Sequence, residues 1–165
     1  MNLRAALISG LLSCCLLLSG ASAGAMDAPP MTAGQTVYVP VYSHVMHGNQ
    51  DRNGKVGEWL LSAMLSVRNT DPSRPITVRS IRYYDTNGKL IREYPAGRTL
   101  GPLATMEVFV ENKDRTGGSG ANFLIVWAAE QPVNAPIVEA VHTNFFGTQS
   151  VAFTSAGQPL HIDAR

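Results

Sequence analysis

The stretch 59-WLLSAMLSVRNTDPSRPITVRSIRYYDTNGKLIREY-94 decides the fold. In an extended chain successive side chains point to opposite faces, so Trp59, Leu61, Ala63, Leu65 and Val67 share one side. Ser62, Ser66 and Arg68 share the other with Leu60 and Met64. The first set is the one to bury. Asp71-Pro72 and Arg74-Pro75 end this run, because proline removes a ladder donor and restricts the residue before it. Two further runs, 76–85 and 89–94, flank Asn87-Gly88, a pair that tolerates the positive φ needed at both centres of a type I′ hairpin turn.

The same reading extends outward along the chain. Strand-like runs over 36–42, 105–111, 123–129, 137–145 and 150–153 join those at 59–69, 76–85 and 89–94. Nothing between them carries a sustained 3.6-residue stripe. In "MEVFVE", Met106, Val108 and Val110 point inward and Glu107 and Glu111 outward, whereas "FLIVWAA" is apolar on both faces, as a central strand covered on its second side would be. Trp59 and Trp127 are the largest core candidates. The pattern predicts an all-β domain, an immunoglobulin-like antiparallel two-sheet sandwich of about seven or eight strands.

The N-terminus reads differently. Arg4, an apolar run over 5–18 and small residues around Ala21-Ser22-Ala23 and Ala23-Gly24-Ala25 have the order of a secretory signal, with cleavage after Ala23 or Ala25. The domain organisation is therefore a signal peptide over 1–25, a flexible proline-bearing lead-in over 26–35 and a single β-sandwich domain over 36–165. A periplasmic or secreted protein is expected. Both cysteines, Cys14 and Cys15, fall inside the signal, so the remainder must be stable without a disulfide or thiolate metal ligand. A lipid anchor on Cys14, within Leu11-Leu12-Ser13-Cys14, is the rival reading, opposed by the apolar run continuing through Leu18. Loss of Arg4 takes the formal charge from +1 to zero, with acids and bases interspersed, which argues against a nucleic-acid surface. No other apolar stretch is long enough for a transmembrane span.

The blocks "GQTVYVPVYSHV", "LSVRNTDPSRPITVRSIRYYDTNGKLIREY", "LGPLA", "GGSGANFLIVWAAEQPVNAPIVEAV" and "FTSAGQ" together resemble a bacterial family of short exported proteins catalogued as a domain of unknown function. The resemblance covers residues 34–158. That family carries no assigned activity, so the resemblance implies no catalytic residue. The segment "LSVRNTDPSRPITVRSIRYYD" also resembles, more loosely, immunoglobulin-like modules of stress-related and envelope proteins, which bears on fold alone.

Two stretches carry the candidate chemistry. "YVPVYSHVMHG" holds Tyr42, Ser43, His44 and His47, and "TGGSGANF" holds Ser119 and Asn122 among three glycines. If both lie at one end of the sandwich they form a binding rim for an envelope protein or a small ligand, through stacking and hydrogen bonding. An alternative is a copper or zinc site using His44 and His47 with His142, which requires the chain to turn after Ser43, since positions three apart on a strand face opposite ways. A third is a serine hydrolase built on Ser119, disfavoured because a nucleophile elbow passes from strand to helix while "NFLIVWAA" reads as a strand. "GNQDRNGKVGE" resembles a calcium loop only as far as position six; the twelfth residue is Leu60. Glu107 and Glu111, about 13 Å apart along a strand, are too distant for a glycosidase pair. No cofactor is otherwise called for. No complete catalytic set is legible, so a non-catalytic binding module is favoured over an enzyme.

Overall fold

Ala63, Leu65 and Val67, three members of the inward row, are all buried, and the strand that carries them sits inside a sheet. The computed structural model describes residues 29–161. Among the described residues there are twelve strands and no helix: β1 (Thr32–Val41), β2 (His44–His47), β3 (Gly57–Leu60), β4 (Ser62–Arg68), β5 (Ile76–Tyr84), β6 (Leu90–Tyr94), β7 (Arg98–Leu100), β8 (Thr105–Val110), β9 (Ala121–Val133), β10 (Ile137–Phe146), β11 (Gln149–Ala156) and β12 (Gln158–Leu160). Every pairing is antiparallel.

One sheet has the order β12-β1-β9-β5-β6, with β7 also on β5; the second has the order β11-β10-β4-β8; β2 and β3 form a separate ribbon. The two larger sheets make the expected all-β sandwich. Its core comes from alternating residues on both: Val37, Val39 and Val41 of β1, Phe123, Ile125 and Trp127 of β9, and Val78, Ile81 and Tyr83 of β5 face Leu65 and Val67 of β4, Val108 and Val110 of β8, and Val138 and Ala140 of β10. Seven of the eight sequence-read runs are found as single strands, and the run over 59–69 is divided between β3 and β4. The extra strands are short ones at corners, and β1 starts at Thr32, inside the stretch read as a flexible lead-in. The signal segment over 1–25 and Cys14 lie outside the described residues.

Three local expectations are corrected. Trp59 does not continue the inward row of β4. The ladder breaks at Leu61, whose amide donates to the Ser43 carbonyl at 2.9 Å, and the break turns Trp59 out onto the ribbon, where it is half-buried. The Asn87-Gly88 hairpin forms, but only Gly88 has positive φ, +77°. The reason is Asp85: its Oδ1 accepts from the amides of Asn87 at 2.8 Å and Lys89 at 2.9 Å, and its carbonyl accepts from Gly88, so a turn over 85–88 precedes the left-handed glycine. "DRNGK" at 51–55 repeats "DTNGK" at 85–89 in sequence and in bonding, with Asp51 Oδ1 taking the amides of Asn53 and Lys55 and Gly54 at φ +80°. The Asp51 carboxylate of the calcium-like loop is thus engaged as a turn former. Finally, β9 is central, between β1 and β5, yet Leu124 and Val126 on its outer face are only half-buried.

The two ends of the sandwich differ. At the end where β4 meets β5, "NTDPSRP" is knotted by side chains: Asn69 Nδ2 donates to the carbonyls of Arg74 at 2.8 Å, Gly101 at 2.9 Å and Leu100 at 3.3 Å. Asp71 Oδ1 accepts from the amides of Ser73 at 3.0 Å and Arg74 at 2.9 Å, and Oδ2 from Asn134 at 3.2 Å. The Ser73 amide, aided by the others against burial, holds the Asp71 carboxyl below its usual range. Prolines supply the bends and the Asx bonds satisfy the backbone they leave unpaired.

Trp127→Ala should cost about 4 kcal/mol by opening a cavity, and Trp59→Ala no more than about 1 kcal/mol. Urea unfolding of the two variants distinguishes them. Asn69→Ala, which leaves buried carbonyls without their donor, should cost about 3 kcal/mol in the same measurement.

Candidate functional site

At the opposite end, β1 stops at Val41 and Tyr42-Ser43 turns the chain into the ribbon. Ser43 is buried, and its amide and its Oγ each donate to the Gly118 carbonyl at 3.0 Å. The turn and the glycine-rich loop therefore meet, as a shared rim requires. Ser43 Oγ has one hydrogen, committed to Gly118, so in its 3.1 Å contact with His44 Nδ1 the imidazole is the donor. Tyr42 closes the end of the core, edge-on to His142 at 5.5 Å and to Phe153 at 5.7 Å.

The glycines of 117–120 serve close packing. A Cβ at Gly117 would collide with the Tyr83 hydroxyl, and one at Gly118 with Thr86 Oγ1. Thr86 donates through its amide and its hydroxyl to the Gly117 carbonyl, at 2.9 and 3.0 Å. The Gly118 amide donates to Arg115 O at 3.2 Å and the Gly120 amide to Thr86 Oγ1 at 3.1 Å, so these donors are engaged inside the fold instead of converging on an anion. Burial pushes the Tyr83 phenol beneath them up to about 12. Ser119, half-buried, leads into β9, a strand and not the helix of a nucleophile elbow. Asn122 pairs with Pro40 and Tyr84 in the ladder and lies on the face opposite Phe123, on the outside of the sheet.

The three candidate metal ligands are not brought together. In the ribbon, His44 is opposite Leu60 and His47 opposite Gly57, three positions apart, hence on opposite faces. The His47 ring packs on Trp59 at 5.1 Å and occupies the space that a Cβ on Gly57 would need. His142 is in the core row of β10, fully buried, stacked on Phe153 at 4.6 Å, and its Nε2 accepts from the Tyr42 amide at 3.2 Å. Burial takes its pKa down to about 4, against a smaller opposing effect of the Phe153 backbone. Among the described residues no three His, Cys, Asp or Glu side chains gather as a metal would need.

What this end does present is a cavity of about 370 Å³ between β3 and the β10–β11 hairpin, lined by Glu58, Trp59, Asn112, Asn144, Phe146 and Gln149, with Leu60 behind them. Its origin is in the register. Val138, Ala140 and His142 face the core, so Asn144 and Phe146 continue the inward row past the point where the other sheet ends. Gln149 is the ladder partner of Phe146 and shares its face. The β3 edge takes the place of the missing sheet, held by Asn144 Nδ2 donating to Leu60 O and by an ion pair between Arg115 and Glu58. The Arg115 hydrogen bond, with lesser help from its charge and those of His44 and Lys55, keeps the Glu58 carboxyl below its ordinary range despite desolvation. Phe145 and Phe146 at the hairpin tip are 79% and 80% exposed. None of these four hairpin and loop contributors, Asn112, Asn144, Phe146 and Gln149, is singled out by a motif. For Asn144 and Phe146 the signal is the change along inward positions of "IVEAVHTNFF" from Val138 and Ala140 to His142, Asn144 and Phe146; Asn112 and Gln149 have none.

A family model described as "Protein of unknown function (DUF3124)" matches residues 34–160. No match is found among curated proteins. Among solved structures, one described as "Crystal Structure of Thermotoga maritima 1070" is similar over 78% of this chain and 96% of its own, at 12% identity and a TM-score of 0.42.

His142 should make stability pH-dependent. Its folded value, about 4, lies below its ordinary 6.5, so the unfolded chain binds the proton first. Stability is full above pH 6.5 and falls as the pH drops toward 4. Urea midpoints across that window should decline for the wild type and decline less for His142→Phe; equal slopes would remove the assignment.

Proposed function

The chain belongs to the family of proteins of unknown function (DUF3124), and from that premise we propose that it is an exported, non-catalytic binding module of the bacterial envelope that recognises its ligand through the ribbon end of the sandwich. The observation that carries this reading is the cavity at that end, in which exposed Phe146 and half-buried Trp59 stand beside polar side chains. Large exposed aromatics clustered with convergent polar groups at one place are a mark of recognition surfaces.

The candidate rim residues divide by role. Tyr42 and Ser43 position the end: one seals the core against His142 and Phe153, the other ties the ribbon to the glycine-rich loop. His44, bonded through Nδ1 to Ser43, and His47, on the Trp59 ring, are contact residues, joined by Ser119 in the glycine-rich loop and Asn122 on the outer face of β9. Export rests on the signal-like order of residues 1–25, and the periplasm or the exterior is the proposed location. The other end of the sandwich carries its own Asn69 and Asp71 hydrogen bonds and a smaller cavity, of about 160 Å³, against the 370 Å³ at the ribbon end.

The test is capture from envelope extract by the immobilised mature protein. A component retained by the wild type and by Ile137→Ala, at the opposite end, should be lost with Phe146→Ala and with the double variant His44→Ala/His47→Ala. Equal retention by all four proteins would move the binding surface elsewhere, and retention of nothing would end the proposal.

A further inference from the structure

The cavity between β3 and the β10–β11 hairpin has a chemistry of its own, and we infer that it binds an uncharged saccharide with equatorial hydroxyls, a gluco-configured pyranose chain. This rests on the binding-end reading and goes further by naming the ligand class.

The lining side chains decide the class. Three are amides: Asn112 and Gln149 each offer a donor and an acceptor side by side, and Asn144, whose Nδ2 is given to Leu60 O, keeps its side-chain oxygen as an acceptor. Vicinal ring hydroxyls, each able to give and take a hydrogen bond, match that pairing. Trp59 and Phe146 supply flat apolar area, which suits the C–H face of a pyranose whose hydroxyls are equatorial. No lysine or arginine is among the lining residues, and the one charge, Glu58, is already paired with Arg115. An anionic ligand would find no free cation there, and a cationic one no unengaged carboxylate. A purely apolar ligand would strip water from the exposed amides of Asn112 and Gln149 and leave them unbonded, a cost of a few kcal/mol.

Size and access agree. About 370 Å³ lies within the ~300–1,000 Å³ span of small-ligand sites, enough for a ring or two of a chain whose remainder stays in solvent. A peptide adding as a strand to the β3 edge is opposed by Asn144, which already occupies the Leu60 carbonyl. The hairpin face, with Phe146 opposite Gln149, places one aromatic and one amide directly across the ladder, the arrangement by which a ring is stacked and hydrogen-bonded at once.

Tryptophan fluorescence and calorimetry test this, because Trp127 is buried while Trp59 lines the cavity. The probes are cellotetraose, maltotetraose and tetra-N-acetyl-chitotetraose, with tetragalacturonate as the charged comparison. At least one neutral tetramer should bind saturably and shift Trp59 emission, tetragalacturonate should not, and Gln149→Ala and Asn112→Ala, both exposed positions, should each raise Kd about tenfold without moving the unfolding midpoint. No saturable binding of any neutral tetramer at millimolar concentration would overturn the saccharide class, and binding undiminished in both variants would overturn this cavity as its place. If the tetramers fail while capture dependent on Phe146 persists, the binding end stands and only the ligand class is wrong; if both fail, the binding end falls with it.

Discussion

The constraint on which everything else depends is the pleat of β4, β10, β1 and β9, which places one side chain in two between the sheets. With no cysteine among the described residues, that apolar row is the main source of stability. A slip of one residue in β4 would exchange Leu65 and Val67 for Met64 and Ser66 and empty the core, so register is strongly fixed. Neighbouring strands in the sheets are often far apart in sequence, β1 with β9 and β4 with β10, and the corners must therefore hold long-range pairings in place.

The corners do this in two different ways. Around Asn69 and Asp71, buried carboxylate and amide oxygens and nitrogens satisfy the backbone that Pro72 and Pro75 cannot serve. Around Ser43, backbone meets backbone: Gly117 and Gly118 must lack Cβ atoms so that Tyr83 and Thr86 can approach. That end is closed only as far as His142. Beyond it the inward row of β10 runs on into Asn144 and Phe146 without an opposing sheet, and the ribbon covers it incompletely.

Legibility in the sequence followed from how local each cause is. The inward row of Ala63, Leu65 and Val67 and the hairpin at Asn87-Gly88 are set by period and turn chemistry within a few residues, and both could be read. Trp59 was misplaced because the break at Leu61 is made by Ser43, eighteen residues away, and no alternation pattern records it. The turn type at 85–88 was missed because Asp85, just outside the Asn-Gly pair, captures two amides; its repeat at Asp51 was equally visible and equally decisive. Of the candidate site, the sequence leaves open whether Ser43 and the glycine-rich loop meet, a contact made through the Gly118 carbonyl, and Asn112, Asn144 and Gln149 come from separate stretches that only the folded chain brings together.

The polar residues of the inward row show how an open, polar end can arise at little cost to the fold. His142 is the boundary. Deeper positions must be apolar, because nothing there could hydrogen-bond them, while at His142 itself the ring is kept neutral by burial and tied to the Tyr42 amide. One step further out, Asn144 finds the Leu60 carbonyl, and two steps further Phe146 is left to solvent. Polarity thus rises along a single strand as the opposing layer withdraws, so side chains beyond His142 contribute little to the core. Substitutions at Phe146 or Gln149 can therefore change the lining of the cavity while the sandwich beneath, fixed by Leu65, Val67, Ile125 and Trp127, stays as it is.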